Sequence, residues 1–173
     1  MRIVSFATAA GPGFGLVSGD GIIDLGRRSR FADIRAVLAA GALEELTAHA
    51  NAAPDHALAE VTFLPTIPGD RKVLAVGLNY RAHVAETAGR DVPEHPRIFA
   101  RLADTVIGHG QPMWRPRNSR HFDYEGELAV VIGTSGRHIP AAHALEHVAG
   151  YTLFNDGSVR DFQKHSEIGR AHV

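Results

Sequence analysis

The chain has 173 residues, a length that fits one domain with a small addition, and its 45% hydrophobic and 21% charged residues are typical of a globular protein. Its 18 lysines and arginines against 19 aspartates and glutamates give a net charge of −1, which argues against nucleic acid as a partner. No apolar run is long enough to span a membrane, and the absence of cysteine excludes disulfides and a cysteine nucleophile. We therefore expect a cytoplasmic protein that binds neither nucleic acid nor membrane.

The N-terminal third predicts strands followed by helices. Apolar runs at residues 14–18 and 21–25 flank Gly19-Asp20, a pattern typical of a β-hairpin, and residues 1–10 predict a strand before it. Apolar residues then recur at helical spacing from residue 34 until Gly41. A second helix within residues 43–50 and a short strand at residues 61–64 complete a small α/β pattern without a catalytic grouping.

The first candidate catalytic pair follows an apolar run at residues 73–76, which predicts a buried strand. His83 and Glu86 come after it, three residues apart, and therefore share one face if this segment is helical. A carboxylate that orients an imidazole in this way forms a general base, although the same spacing also arises in surface ion pairs. The residues alone leave both interpretations open.

Carboxylates form the second candidate group. Glu125 and Glu127 precede the apolar run 128–133, which predicts another buried strand, and alternate residues of a strand share a face. Two adjacent carboxylates are tolerated if both are solvated, if one is protonated, or if a cation lies between them. Asp156 follows a third predicted strand at residues 148–154, and a third carboxylate would suit Mg²⁺ or Mn²⁺.

Three blocks of residues together resemble the fumarylacetoacetate hydrolase family, in the family's order and with its typical spacing. They are Gly77-Leu78-Asn79-Tyr80 with His83 and Glu86; Asp123-Tyr124-Glu125 with Glu127 and residues 128–133; and Gly150-Tyr151-Thr152 with Asn155, Asp156, Ser158, Arg160, Asp161 and Gln163. The resemblance covers about residues 70–166. It implies a strand-rich α+β protein, in which a small α/β accessory domain (1–64) and a linker (65–71) precede an incomplete mixed β-barrel-like catalytic domain (72–173).

The resemblance also implies roles for individual residues. Glu125, Glu127 and Asp156 would hold Mg²⁺ or Mn²⁺, with Ca²⁺ as an alternative. His83 and Glu86 would form a dyad that activates water. Arg101, Arg160 and Gln163 would contact the substrate, whereas the cluster Arg115, Arg117, Arg120 and His121 has no implied role and is expected to be solvated surface.

The implied chemistry is metal-dependent hydrolysis of a C–C bond in a 2-oxo or 1,3-dicarbonyl acid, such as a fumarylacetoacetate-like or acylpyruvate-like substrate. Decarboxylation and isomerisation of 2-oxo acids use the same residues and stay open as alternatives, all within the breakdown of aromatic compounds. The family also implies a homodimer of the full-length form.

The family pattern stops before the end of the chain. Members continue to a Gly-Lys pair and to further strands that close the barrel, whereas this chain ends at Val173. Residues 168–173 read as the translation of a common sequencing-adapter string. We therefore expect a C-terminally truncated chain with an artefactual end from about Glu167, the alternative being a natural short form. On this interpretation the 173-residue polypeptide is a poorly soluble or non-catalytic fragment of an active parent enzyme.

Overall fold

The computed structural model describes residues 1–69, 72–86 and 91–163. The chain divides into two compact units. The first unit comprises Met1–Pro68, Ile107–Met113 and Tyr124–Asp156, and the second comprises Gly69–Val106, Trp114–Asp123 and Gly157–Val173. The predicted domain boundaries at residues 64 and 72 stay a prediction, and the expectation for residues 167–173 lies outside the described residues.

Strands predominate over short helices, so the predicted strand-rich α+β class is confirmed. The strands are β1 (Ile3–Thr8), β2 (Gly11–Ser18), β3 (Gly21–Asp24), β4 (His56–Ala57), β5 (Thr62–Phe63), β6 (Val73–Gly77), β7 (Arg97–Arg101), β8 (Phe122–Asp123), β9 (Gly126–Ile132), β10 (Val148–Asn155) and β11 (Ser158–Val159). The α-helices are α1 (Ile34–Ala39), α2 (Arg81–Glu86) and α3 (Arg160–Gln163), and 3₁₀ helices cover Leu43–His49, Leu58–Glu60, Ala103–Thr105 and Ala141–His147. None of the helices in the described segments has the length and apolarity that a membrane crossing requires.

A five-stranded antiparallel sheet organises the first unit, in the strand order β4-β3-β2-β1-β5. The predicted hairpin is confirmed, since Ser18 pairs with Gly21 across a two-residue turn. Gly19 has a φ of 56°, which is a conformation that glycine adopts without steric cost, as at the first position of a type II′ turn.

Helix α1 covers one face of this sheet. Asp33 caps its N-terminus by accepting a hydrogen bond from the Ala36 amide at 2.8 Å, and Gly41, with a φ of 63°, follows its C-terminus. The predicted second helix is the 3₁₀ helix Leu43–His49. Side chains from the sheet and both helices form the core: Phe14, Leu16, Ile23, Leu25, Phe31, Ile34, Val37, Ala42 and Leu46.

A hydrogen-bonded ion pair connects the end of β3 and the segment after it to the residue before β4. Arg28 donates to both carboxylate oxygens of Asp55, with Nη2 to Oδ1 at 2.9 Å, and the Asp24 amide donates to Oδ2 at 2.8 Å. The hydrogen bond from Arg28, which outweighs partial desolvation, holds the pKa of Asp55 below its usual range.

Two strand pairs carry apolar side chains that remain exposed. In the β9–β10 pair of the first unit, Val130 lies opposite Tyr151 and Leu128 opposite Leu153. These four side chains and that of Ile132 are between 49% and 86% exposed, and we call them the β9–β10 apolar face.

The second unit contains a similar pair. In β6–β7, Val76 lies opposite Ile98, and both side chains are exposed together with that of Leu74. The expectation that residues 73–76 and 128–133 form buried strands is therefore wrong in its burial, although both segments are strands. The reason is that each strand pairs with a single neighbour, and the described part of the chain covers only one face of each pair.

The Arg28–Asp55 pair predicts an acid-dependent loss of stability. We expect Asp55→Asn to lower the melting temperature at neutral pH by a few degrees, because the native carboxylate is the partner of Arg28. A carboxyl group with a lowered native pKa stabilises the fold above its unfolded pKa and loses this effect as the pH falls. The difference between variant and wild type should therefore shrink below about pH 4 in thermal unfolding curves. Glu45→Gln, which breaks the exposed Arg30–Glu45 pair, is the control and should change little; an equal effect of both substitutions would contradict the prediction.

The β9–β10 apolar face predicts limited solubility. Exposed contiguous apolar surface on a sheet favours association, so Leu153→Lys should raise the concentration at which the protein stays monodisperse in light scattering, without lowering its melting temperature. Leu145→Lys is the matched control, because Leu145 is 75% exposed but lies outside the strand pair. Equal gains from both substitutions would show that the sheet face has no special effect.

Candidate active site

The predicted dyad lies on helix α2, directly after strand β6. Between the two, Leu78 has a φ of 56°, an unfavourable conformation for a residue with a side chain, and this turn redirects the chain from strand to helix. Val84 is 3% exposed and forms the buried side of the helix. His83 and Glu86 therefore point outward, with side chains 53% and 78% exposed.

The two side chains of the dyad lie close to each other. His83 Nδ1 lies 3.9 Å from Glu86 Oε2, a distance that is longer than a hydrogen bond. A small change of either side chain would close this gap. The geometry therefore allows Glu86 to orient the imidazole, while its role in catalysis stays a prediction.

The antiparallel register of β9 and β10 places the three predicted metal ligands on one face. Glu127 pairs with Phe154, and one step beyond the ladder the Asp156 amide donates to the Glu125 carbonyl at 2.8 Å. Because directly opposite residues point to the same side and alternate residues share a face, Glu125, Glu127 and Asp156 face the same way. This face is opposite to the β9–β10 apolar face.

The three carboxylates fit a hard divalent cation in chemistry and in backbone placement, but their side chains are not gathered. Asp156 is 4% exposed, and both glutamates are half-buried. Within residues 1–69, 72–86 and 91–163, no three histidine, aspartate or glutamate side chains form a group that could hold a metal ion. Without a cation, mutual repulsion favours separated carboxylates, so binding would require their side chains to turn toward one another.

Arg160 and Gln163, predicted to contact substrate, lie together on α3. Arg160 Nη1 donates to Gln163 Oε1 at 3.3 Å. The other side of the same guanidinium contacts Asp123 Oδ2, with Nε at 2.9 Å and Nη2 at 2.8 Å. A cation and an amide thus lie side by side, and both are groups that can donate hydrogen bonds to a carboxylate.

Arg101, the third predicted substrate contact, ends strand β7. It is 6% exposed, and its guanidinium carbon lies 5.6 Å from the centre of the Phe99 ring. A cation over an aromatic face gains electrostatic stabilisation. The structure therefore shows a packed arginine at this position, and contact with substrate stays a prediction.

The basic cluster between residues 115 and 121 has a structural function that the sequence did not reveal. Arg115 Nη1 donates to the Ser119 carbonyl, and the buried Ser119 hydroxyl donates to Asp161 at 2.8 Å. Desolvation raises the pKa of Asp161, but hydrogen bonds from Ser119 and from the amides of Phe162 and Asp161 outweigh it and hold that pKa below its usual range. All four members of the predicted cluster, Arg115, Arg117, Arg120 and His121, are exposed as expected, and the buried side chain of this segment is that of Ser119.

A family model described as "Fumarylacetoacetate (FAA) hydrolase C-terminal" matches residues 72–172. The oxaloacetate tautomerase YisK of Bacillus subtilis is 44% identical over 112 residues, which are 63% of this chain and 37% of that protein.

The chain is also similar to solved structures. A 5-carboxymethyl-2-hydroxymuconate delta-isomerase from Mycobacterium smegmatis is 33% identical, with a TM-score of 0.67 over 95% of this chain and 58% of its own. A maleylpyruvate hydrolase from Sphingobium sp. SYK-6, solved in complex with manganese(II) and pyruvate, is 25% identical, with a TM-score of 0.72 over 92% of this chain and 60% of its own. The chain spans between about a third and about a half of the length of the curated relatives it matches.

The shared face of the carboxylates generates a prediction about metal binding. Glu127→Gln should weaken Mn²⁺ binding by more than about tenfold, because even groups that only support metal ligands contribute that much. Isothermal titration calorimetry with Mn²⁺ measures this. Glu146→Gln is the control, since Glu146 is an exposed carboxylate that contacts His143 instead. Binding of Mn²⁺ by E127Q with unchanged affinity would contradict the assignment.

Proposed function

The chain belongs to the fumarylacetoacetate hydrolase family, and from this premise we propose that the protein acts on small 2-oxo acids. The proposed reaction is proton transfer at the carbon next to the 2-oxo group, as in the tautomerisation of oxaloacetate. The observation that carries this proposal is the His83–Glu86 pair on the exposed side of α2, which can take up and return a proton. Relatives named oxaloacetate tautomerase support the choice of reaction.

Tautomerisation requires few functional groups in an active site. A proton leaves carbon and another arrives at oxygen, or the reverse, and no bond between heavy atoms is broken. One group must accept and donate a proton close to the reacting carbon, and the negative charge that develops on oxygen must be stabilised. The residues of this chain can meet both demands.

Glu125, Glu127 and Asp156 would hold the divalent cation, with Mg²⁺ or Mn²⁺ preferred by the all-oxygen ligand set. When bound, this ion would supply Lewis acidity toward the oxygens of the substrate. The manganese in the maleylpyruvate hydrolase structure supports the proposal. The low exposure of Asp156 supports a ligand that is shielded from bulk water.

His83 would act on the reacting carbon. In its neutral form the imidazole accepts the proton from carbon, and Glu86 stabilises the imidazolium that results. The carboxylate also fixes which ring nitrogen faces the substrate. Return of the proton to the oxygen or the carbon then completes the reaction and restores neutral His83.

Arg160, Gln163 and Arg101 would bind the polar groups of the acid. The guanidinium of Arg160 and the amide of Gln163 are in contact, so a carboxylate could receive hydrogen bonds from both. Binding through fixed donors holds the reacting carbon in place, which is a large part of catalysis by positioning.

Hydrolysis of a C–C bond in an acylpyruvate is the second candidate, supported by the structural likeness to a maleylpyruvate hydrolase. The same His83–Glu86 pair would then remove a proton from water, which attacks the distal carbonyl. The proposal also includes a homodimer and a place in the breakdown of aromatic compounds, on the strength of the family.

If His83 is the general base, its removal should lower the catalytic rate. His83→Ala in the Mn²⁺-loaded protein should lower kcat for oxaloacetate tautomerisation by about 100-fold or more, because a positioned general base contributes on that scale. The assay follows the enol absorbance of oxaloacetate in the ultraviolet.

A second His-x-x-Glu pair supplies the control. His143 Nδ1 lies 2.9 Å from Glu146 Oε1 on the 3₁₀ helix Ala141–His147 and has the same spacing as the dyad. His143→Ala should leave kcat unchanged. An H83A variant as active as wild type would remove His83 from the mechanism.

A further inference from the structure

Asp123 makes a contact to which neither the sequence nor the proposed mechanism assigns a function. Its Oδ2 atom accepts from Arg160 Nε at 2.9 Å and lies 2.8 Å from Nη2. These two nitrogens form one edge of the planar guanidinium. A carboxylate on that edge fixes both the position and the plane of the group.

The backbone of Arg160 is also held in place. Asp123 lies directly opposite Ser158 in the β8–β11 pair, and the Arg160 amide donates to the His121 carbonyl at 2.8 Å. Ser158 and Val159, just before Arg160, are 2% and 1% exposed. The pairing thus brings the carboxylate of Asp123 to the start of α3 at a fixed place.

Ser119 provides a second attachment for the same helix. Its hydroxyl donates to Asp161 Oδ1 at 2.8 Å and accepts from the His121 amide at 3.1 Å. The residue after Arg160 is therefore tied to the segment that leads into β8. With the backbone fixed on both sides, the remaining freedom of Arg160 lies in its long side chain, and Asp123 removes that freedom.

We propose that Asp123 is a positioning residue that aims the guanidinium of Arg160 at the carboxylate of the substrate, an inference that rests on the proposed function. An unpaired arginine samples many rotamers, and ordering it during binding reduces affinity. The side chain of Asp123 is 48% exposed, so solvent screens the pair and the guanidinium keeps its attraction for a substrate carboxylate. Through its Nη1 contact, Arg160 in turn orients the amide of Gln163.

The test compares Asp123→Asn and Asp123→Glu with wild type in the Mn²⁺-loaded protein, with oxaloacetate as the substrate. Loss of a group that orders a substrate contact weakens binding of ground state and transition state alike, so D123N should raise KM about tenfold with little change in kcat. D123E keeps the charge and should recover part of the affinity. Glu45→Gln, which removes the carboxylate from the exposed Arg30–Glu45 pair, is the matched control and should leave KM unchanged.

Separate outcomes identify separate failures. A KM for D123N within twofold of an active wild type would overturn the positioning role and leave the proposed function standing. The same role is overturned if D123N weakens Mn²⁺ binding or lowers the melting temperature as strongly as it raises KM, because Asp123 would then support the metal site or the fold. A wild type without any turnover contradicts the proposed function and the positioning role together.

Discussion

The antiparallel register between β9 and β10 is the constraint on which the proposed chemistry depends. It fixes Glu127 opposite Phe154 and brings the Asp156 amide to the Glu125 carbonyl, 31 residues away in the sequence. A shift of one residue on either strand would turn that strand's carboxylates to the other face. The backbone pairing thus places the three carboxylates on one face of the strand pair.

The same pairing gives the two sides of this strand pair opposite chemical character. One face carries three carboxylates, whose repulsion a divalent cation would relieve. The opposite side is the β9–β10 apolar face, whose burial would be favourable by about 25 cal/mol per Å² of apolar surface. A cation on one side and apolar surface on the other would therefore each stabilise this sheet.

Much of the fold could be predicted from local patterns, and the errors have a common physical cause. The Gly19-Asp20 hairpin and helix α1 follow from turn and capping residues that act within a few positions, and the structure confirms them. The apolar runs at 73–76 and 128–133 were correctly predicted as strands but not as exposed ones. An apolar run fixes the conformation, whereas its burial depends on what packs against it.

In the candidate site, too, local contacts could be predicted and long-range contacts could not. The His83–Glu86 contact could be predicted because three-residue spacing on a helix determines it. The Arg160–Asp123 pair could not, since its partners are 37 residues apart and meet only through the β8–β11 pairing. The importance of Ser119 was hidden for a similar reason, because a serine among arginines gives no sign of its hydrogen bond to Asp161.

We propose above that this protein catalyses proton transfer on a small 2-oxo acid. Its most direct test is the rate at which enol oxaloacetate converts to the keto form with the Mn²⁺-loaded protein, compared with the same concentration of Mn²⁺ alone. We expect faster conversion with the protein and a return to the metal-free background when EDTA is added. Equal rates with the protein and with Mn²⁺ alone would contradict the proposed catalysis.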